Sequence, residues 1–283
     1  MFDEVTPKES GKLTESVDKA LCILECFSDA NPELTLKELS EHTGLNKSRI
    51  LRLCGTLAAH GFLVRRKGSL YSLGPRLLLF GKIYERSNTL ISLARPIMKE
   101  LAMLTGESVK LFVIEEKKRI CLARELGPSR LNYIIREGET LPLLAGAGGK
   151  VLMAFAQKPF QDEIFSQGME RVTPATIVKR EQLLEEFAAI RAQGYAISKG
   201  ELVYEVGGIA APVYNYDHKV VAALTVAGPM QRFTDELCRE KLKDLLEATD
   251  RLSRLLGFEK TFAARAESHK SQEIGQQRQN EDQ

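Results

Sequence analysis

The first sixty residues show apolar positions at helical spacing, interrupted by capping and turn residues. Apolar residues at 17, 20, 21, 24 and 27 predict a helix that Ser16 can cap. Thr35 and Glu38 have the spacing of a capping box for a second, short helix, and Gly44 permits a sharp turn after it. Asn46 can cap a third helix that runs to about His60. This order predicts a helix-turn-helix.

The next segment predicts a basic hairpin followed by an apolar helix. Two short strand-like stretches, 61–64 and 69–73, flank a turn that contains three consecutive cations. Such a hairpin after a helix-turn-helix is a wing. Pro75 suits the first position of a further helix, which is apolar on most sides over 77–83. We expect that helix to pack against another helix or another chain.

From about Thr89 the pattern is that of a separate α/β domain. A helical stripe over 90–104 ends at Gly106 and contains Pro96, which predicts a kink or a later start. Alternating stretches predict strands at 108–115, 119–125, 132–136, 208–214 and 220–227. Helices are predicted at 151–155, at 181–193, and from a Thr234 cap to Gly257.

These patterns divide the chain into four parts. Residues 14–76 are predicted to form a winged helix-turn-helix, 77–90 a linker helix, and 91–260 a second, α/β domain, which is the candidate effector-binding domain. Residues 261–283 are rich in Gln, Glu, Ser and Lys and are expected to be a disordered tail. A chain of 283 residues is long enough for two ordinary cores.

Positive charge is concentrated in the predicted winged helix-turn-helix, although the formal net charge of the chain is only +2. Between Thr43 and Arg76 there are seven Lys or Arg residues and no Asp or Glu. On a helical wheel, apolar side chains group at 50, 51, 53, 54, 57 and 58, opposite a face of hydroxyls and guanidiniums. Arg can bind guanine, and Ser and Thr can contact phosphate or bases. The predicted DNA-binding residues are Lys47, Ser48, Arg49, Arg52, Thr56, Arg65, Arg66 and Lys67.

The sequence gives little support to catalysis, metal binding or cofactor binding. The four histidines have no evident nucleophile or carboxylate around them, so no catalytic residues are predicted. Gly149-Lys150 lacks the rest of a phosphate-binding loop, and the five scattered cysteines indicate neither a disulfide framework nor a metal site. No cofactor is expected. No apolar run approaches the roughly 20 residues of a membrane span, which favours a cytoplasmic protein.

Several motifs resemble the IclR family of bacterial transcription regulators. Those in the predicted DNA-binding domain are Ser16–Leu21, Leu36–Arg52 and His60–Leu63, and those in the second domain are Leu141–Lys150, Gly194–Ala196, Gly200-Glu201, Ile209–Val213, Ala222–Leu224 and Gly228-Pro229. The resemblance covers roughly residues 14–260. It implies an α+β chain: a winged helix-turn-helix, a linker helix and a GAF-like domain with a curved antiparallel sheet. It also implies a homodimer or a dimer of dimers on double-stranded operator DNA.

The glycine-rich run 145–150 is the candidate for small-molecule binding. Unhindered N–H groups before a helix can hold a carboxylate, but the same small residues can serve only close helix packing, and both interpretations remain open. The resemblance implies a pocket formed by Ala147, Gly148, Ser198, Gly208, Thr225 and Ala227. Some family members have more polar side chains at three of these positions, which predicts a less polar and roomier pocket here. Leu144 and Glu205 also depart from the family, which commonly has histidine and glycine there.

The sequence therefore predicts a ligand-responsive DNA-binding transcription regulator that is not an enzyme. We expect a repressor of a catabolic operon, released by a small organic effector with a carboxylate. The alternatives are an activator of the same type, a purely architectural DNA-binding protein, and an enzyme with a GAF-like domain.

Overall fold

The computed structural model describes residues 14–28, 30–129 and 135–259. The chain divides into two compact units between Asn88 and Thr89. The segment 261–283, which we predicted to be a disordered tail, lies outside the described residues. Within those residues, no helix is both long and apolar enough to cross a membrane.

The first unit contains four helices and a small sheet among its described residues. Its elements are α1 (Glu15–Glu25), β1 (Glu33–Thr35), α2 (Leu36–Thr43), α3 (Lys47–Ala59), β2 (Leu63–Arg65), β3 (Leu70–Leu73) and α4 (Pro75–Ser87). The three strands are antiparallel in the order β1-β3-β2. Strand β1 was not predicted, because three residues with a single buried position give too short a pattern. Helix α1 begins one residue before Ser16, and Thr14 is its N-cap.

Local capping explains the helix-turn-helix. Thr35 Oγ1 accepts from the Glu38 amide at 3.2 Å, and Glu38 Oε2 accepts from the Thr35 amide at 2.8 Å. Gly44 ends α2 with φ +70°, where a side chain would be strained. Asn46 Oδ1 accepts from the Arg49 amide at 2.9 Å and caps α3. The core joins both helices to the hairpin through Ile23, Leu34, Leu39, Ile50, Cys54, Leu63 and Tyr71.

Helix α4 begins at Pro75, as predicted, and leaves much of its apolar surface exposed. Phe80 stacks on Phe62 with ring centroids 5.6 Å apart, which holds the start of α4 against the hairpin. The large apolar side chains that remain exposed are Leu78, Leu79, Phe80, Ile83 and Tyr84. Exposing a row of apolar side chains to water is unfavourable, so this face of α4 is suited to contact a partner.

The second unit is built around a six-stranded antiparallel sheet in the order β6-β5-β4-β9-β8-β7. The strands are β4 (Ser108–Glu115), β5 (Lys118–Glu125), β6 (Thr140–Leu141), β7 (Ala196–Lys199), β8 (Val206–Tyr214) and β9 (Val220–Pro229). The helices are α5 (Thr89–Thr105), α6 (Ala147–Phe155), α7 (Lys158–Ser166), α8 (Arg180–Gln193) and α9 (Asp235–Leu255). The predicted fold class, a winged helix-turn-helix followed by a domain with an antiparallel sheet, is confirmed.

Alternation along the strands separates two cores. Val109 and Leu111 of β4 pack in the core that contains α5 and α9, whereas Phe112 packs with α6 and α8. On β9, Leu224 and Val226 belong to the first core and Ala223 to the second. Lys110 and Thr225 have the parity of Phe112 and Ala223, so the sheet directs them toward α6.

Some predicted elements are displaced or absent. The expected strand 132–136 lies mainly outside the described residues, and Ile135 and Arg136 are not in a strand. Helix α6 begins at Ala147 rather than Val151, so the last four residues of the glycine run belong to the helix and Gly146 is its N-cap. Helix α5 begins at Thr89 and includes Pro96, so the later start was wrong. Helix α7 and strand β7 were not predicted.

Candidate functional site

The polar face of α3 lies on the surface of the first unit. Ser48, Arg52 and Thr56 are exposed on it, and Lys47 is exposed at its first turn. Ile50 and Cys54 on the other side are fully buried in the core. Helix α3 therefore presents hydroxyl groups and cations to solvent in the arrangement that a recognition helix needs.

The helical wheel misplaced one apolar residue of α3. Leu51 was expected on the buried side, but 47% of it is exposed. Its position lies between Ile50 and Arg52, at the border of the buried face. An apolar side chain next to the polar face is suited to contact a thymine methyl group.

Arg49 has a partner that the sequence pattern concealed. Its Nη2 lies 2.8 Å from Glu15 Oε1 on α1, and the Arg49 side chain is only about one third exposed. The segment from Thr43 to Arg76 lacks acids, but the fold brings one to it from thirty-four residues upstream. Arg52 is thus the better placed of the two arginines for contact with a base.

The predicted wing is present and carries its three cations at the surface. Arg65, Arg66 and Lys67 are all exposed, at the end of β2 and in the 3-10 turn Lys67–Ser69. Gly68 closes that turn with φ +76°. Arg66 Nε donates to Ser72 Oγ of β3 at 3.2 Å, so the hairpin itself holds the middle one of the three cations.

In the second unit, the six residues predicted for the pocket line one cavity. Ala147, Gly148, Ser198, Gly208, Thr225 and Ala227 surround it, together with Phe112, Ile135, Leu202 and Val203. The volume is about 40 Å³, room for only a few water molecules. Large side chains from other elements, those of Phe112, Ile135 and Leu202, also project into the space beside the small ones.

Two buried cations that the sequence analysis missed also line this cavity. Lys110 of β4 and Arg119 of β5 are 0% and 2% exposed. The prediction of a less polar pocket was based only on the six positions transferred from the family, and Lys110 and Arg119 are not among them. Lys110 could have been noticed as a cation inside an otherwise apolar strand, Val109–Val113.

The surroundings of Lys110 disfavour its charge. Burial lowers the pKa of its ammonium to about 7, and the Arg124 and Arg119 guanidiniums act in the same direction. Cys121 and Glu107 oppose this shift in pKa. A buried cation is favoured again when an anion enters beside it, so the charge of Lys110 depends on what occupies the cavity.

Thr225 and Gly148 form one wall of the cavity. Lys110 and Thr225 are directly opposed residues of β4 and β9. Among the described residues, the buried Thr225 hydroxyl has no hydrogen-bond partner. A Cβ placed on Gly148 would lie 2.7 Å from Thr225 Oγ1 and 3.1 Å from an Arg119 nitrogen. Glycine at this position therefore leaves open the space into which polar groups from two strands project.

The rest of the glycine run is engaged within the protein. Lys150 Nζ donates to Glu201 Oε1 at 2.7 Å and to Glu186 Oε2 at 3.0 Å. The Gly146 amide donates to Glu201 Oε2 at 3.1 Å. A Cβ on Gly149 would lie 2.4 Å from the Leu143 carbonyl oxygen. Gly149 thus serves close packing of the helix, whereas Gly148 is part of the lining of the cavity.

The two departures from the family lie away from the cavity lining. Glu205 is exposed, and its carbonyl oxygen accepts from the Met230 amide at 2.7 Å. Leu144 packs at the edge of the core beneath α6. Neither belongs to the described lining of the cavity.

Both units match known families and named relatives. Residues 16–67 match the IclR helix-turn-helix domain, and residues 83–254 match the bacterial transcriptional regulator IclR C-terminal domain. The HTH-type transcriptional regulator KipR of Bacillus subtilis (strain 168) is 30% identical over 249 residues, covering 86% of this chain and 98% of KipR. The transcriptional repressor IclR of Escherichia coli (strain K12) is 26% identical, covering 80% of this chain and 84% of that repressor.

Solved structures have the same architecture. An IclR transcriptional regulator from Silicibacter sp. TM1040 has a TM-score of 0.77 at 28% identity, covering 87% of this chain and 98% of that one. An IclR homolog from Microbacterium hydrocarbonoxydans, complexed with 4-hydroxybenzoate, has a TM-score of 0.73 at 23% identity, covering 84% and 98%. With both domain families matched in order along the chain, this protein belongs to the IclR family of bacterial DNA-binding transcription regulators.

Proposed function

We propose that this regulator represses a catabolic operon and is released from its operator by a small organic carboxylate. The observation that carries the effector part is the pair of buried cations, Lys110 and Arg119, around one cavity with Thr225. Charges inside a protein are screened much less than exposed ones, so two cations in the lining attract an anionic ligand to this cavity more strongly than a neutral one.

The DNA part of the proposal rests on the first unit, with residues 14–76 as the DNA-binding domain. The exposed face of α3, with Ser48, Arg52 and Thr56, would read bases in the major groove. Lys47 and the wing cations would contact phosphates, and Arg49 would join them after leaving Glu15. The partner is double-stranded operator DNA.

The effector part assigns residues 91–260 as the sensing domain. Its candidate contacts are Ala147, Gly148, Ser198, Gly208, Thr225 and Ala227, with the two cations added. Glu201 ties the loop that carries Leu202 and Val203 to Gly146 and Lys150. A ligand that displaces this loop would disturb the contacts of a buried ion pair, which gives occupancy of the cavity a structural consequence.

The oligomer is the third part of the proposal. A homodimer or a dimer of dimers would cover the exposed apolar row of α4, within the proposed linker helix 77–90. Two copies would also match the two halves of a palindromic operator. The repressor assignment follows the printed name of the Escherichia coli relative, which is a transcriptional repressor.

Operator selection from genomic DNA followed by effector titration tests the proposal. DNA fragments bound by the full chain are sequenced. Small carboxylates that the enzymes encoded by the neighbouring catabolic genes use or produce are then added, and release of the DNA is measured by mobility shift. We expect specific binding that one such acid reverses, with transcription of the adjacent operon rising. If the protein stays on the operator when the acid is added and transcription rises, the protein is an activator. If no carboxylate changes operator binding, the proposed class of effector is contradicted.

A further inference from the structure

We propose that Leu51 and Gly55 form an apolar notch on α3 that receives the methyl group of a thymine in each half of the operator. This inference rests on the proposed function, in which the exposed face of α3 lies in the major groove. It goes further by assigning one base to two residues without polar side chains, neither of which was among the predicted DNA-binding residues.

Leu51 lies within the exposed face of α3. Beyond Lys47, the exposed positions of this helix form one stripe at 48, 51, 52, 55, 56 and 59. Ile50 and Cys54 face the core on the opposite side. A single exposed leucine is common on protein surfaces and alone indicates little. The position of Leu51 matters because it is surrounded by the hydroxyls and cations of the face that meets DNA.

Gly55 is the second feature of this face, and packing does not account for it. Glycine is the least favourable residue inside a helix after proline, because it gives up the most backbone freedom. A close neighbour would explain its presence. Apart from its own helix backbone and chain neighbours, however, no atom of the described residues lies within 4 Å of a Cβ placed on Gly55. The open space is explained if DNA, the ligand of a helix-turn-helix domain, approaches the backbone there.

The two residues are neighbours on the helix surface. They are four positions apart, so their side-chain positions lie about 5–6 Å from each other on one face. A helical side chain leans toward the N-terminus and covers the turn before it. A side chain at position 55 would therefore lean over the surface beside Leu51, and glycine leaves that flank of Leu51 open. The notch thus has one leucine wall and a floor of helix backbone.

The chemistry of the notch favours thymine. All four bases present hydrogen-bonding groups in the major groove, and thymine adds a methyl group to its own. The side chain of Leu51 offers no hydrogen bond, but it gains free energy when it removes a methyl group from water. Arg52, the next residue along the chain, supplies the hydrogen bonds that a guanine needs. The exposed face therefore combines a polar reader with a methyl reader.

Replacing thymine by deoxyuridine tests the notch, since deoxyuridine pairs in the same way but lacks the methyl group. Operator DNA selected with the full chain is prepared with each thymine replaced in turn, and affinity is measured by competition mobility shift. We expect one thymine in each half-site whose replacement weakens binding by about fourfold, as for one buried methyl-sized group. Random DNA should bind equally well with either base.

Two variants assign that thymine to the notch. Leu51→Ala should reduce the ratio of affinities for the thymine and deoxyuridine operators toward one. Gly55→Ala should reduce the same ratio, because its added methyl group occupies the notch, and should weaken operator binding by about fivefold. It should also raise the melting temperature by a few degrees, since alanine favours the helix. A more stable protein with weaker operator binding is a result that a purely structural role of Gly55 does not give.

Leu184→Ala and Gly81→Ala are the matched controls. Leu184 is an exposed leucine on α8 in the second unit, so its replacement should leave the ratio unchanged. Gly81 is an exposed glycine inside α4 with equally open space at its Cβ position. Gly81→Ala should therefore raise the melting temperature but keep the ratio. Circular dichroism shows whether each variant is folded.

The outcomes separate this inference from the proposed function. If no thymine is sensitive to replacement, or if folded Leu51→Ala protein keeps the full ratio, the notch is overturned while specific operator binding still supports the proposed function. A Gly55→Ala protein that binds the operator as tightly as the unmodified protein overturns the role of Gly55. Failure of the unmodified chain to bind any DNA sequence specifically would contradict both.

Discussion

The two units use cations in opposite environments. Arg52, Arg65 and Lys67 project into water from the first unit, whereas Lys110 and Arg119 lie within the second. Exposed charges act on a distant polyanion and are weakened by salt, because the screening length is about 8 Å at physiological ionic strength. Buried charges are screened much less, and the protonation of Lys110, whose pKa burial lowers to about 7, responds to a ligand. We therefore expect DNA binding to depend mainly on salt, and effector binding mainly on pH.

The largest expected effect comes from filling the cavity. Gly148→Val places side-chain atoms where Thr225 Oγ1 and Arg119 already approach, so effector response should be lost, with a midpoint shifted more than about a hundredfold. The three nearest atoms belong to the side chains of Thr225, Phe112 and Arg119 rather than to the backbone, so we expect the variant to fold and bind operator normally. Effector titration of operator release measures the loss.

The neighbouring glycine provides the control for that variant. A side chain at Gly149 would meet the Leu143 backbone at 2.4 Å, so Gly149→Val should lower the melting temperature and the yield of folded protein. If instead Gly148→Val misfolds and Gly149→Val does not, the assignment of one glycine to the cavity and the other to packing is reversed.

The next largest effect concerns the exposed cations of the wing. Replacing Arg65, Arg66 and Lys67 by Ala should weaken binding to all DNA sequences, because phosphate contacts do not depend on sequence. Each lost contact should reduce the slope of log affinity against log salt by about 0.9. Fluorescence anisotropy over a range of salt concentrations measures the slope.

Lys37→Ala is the matched control for the wing, since Lys37 is an exposed cation on α2 next to Glu41. Its slope should equal that of the unmodified protein. A triple wing variant with an unchanged slope would show that the hairpin does not touch the DNA backbone, and the contrast between the two units would then depend on α3 alone.

A smaller and more specific effect is expected on the recognition helix. Arg52→Ala should cost about 1–3 kcal/mol at the operator and much less on random DNA, because Arg52 is exposed at the centre of the polar face. Arg49→Ala should cost less, since Glu15 already holds that guanidinium. Competition mobility shifts with operator and random DNA give both values. Equal losses for the two arginines would indicate that DNA releases Arg49 from Glu15 fully.

The sequence predicted local features better than contacts between distant segments. Capping by Thr35 and Asn46, the turn at Gly44 and the hairpin around Gly68 depend on neighbouring residues, and all are present. The ion pair of Arg49 with Glu15 and the approach of Arg119 to Gly148 depend on the fold, and no local pattern encodes them.

The candidate pocket shows the same division. Six of its positions could be transferred from the family, and they do surround one cavity. Its charge could not be transferred, because Lys110 and Arg119 lie on strands whose alternation indicates only which face a side chain takes. A cation on the buried face of a strand is the signal to search for in related sequences.

The smallest predicted effect tests the acid beside the recognition helix. Glu15 and Arg49 form an ion pair at the surface, with Glu15 exposed and Arg49 about one third exposed, and such pairs contribute at most about 1 kcal/mol to folding, so Glu15→Gln should remain folded. The substitution removes a negative charge near the DNA surface and frees Arg49, so affinity for DNA should rise by about two- to fivefold at low salt. Glu41→Gln, on the exposed side of α2, is the control and should change affinity less. Anisotropy titrations at two salt concentrations measure both variants, with the gain expected to shrink as salt increases. A loss of affinity in Glu15→Gln would mean that the ion pair positions Arg49 for DNA, and Arg49 would then belong with Arg52 among the base-reading residues.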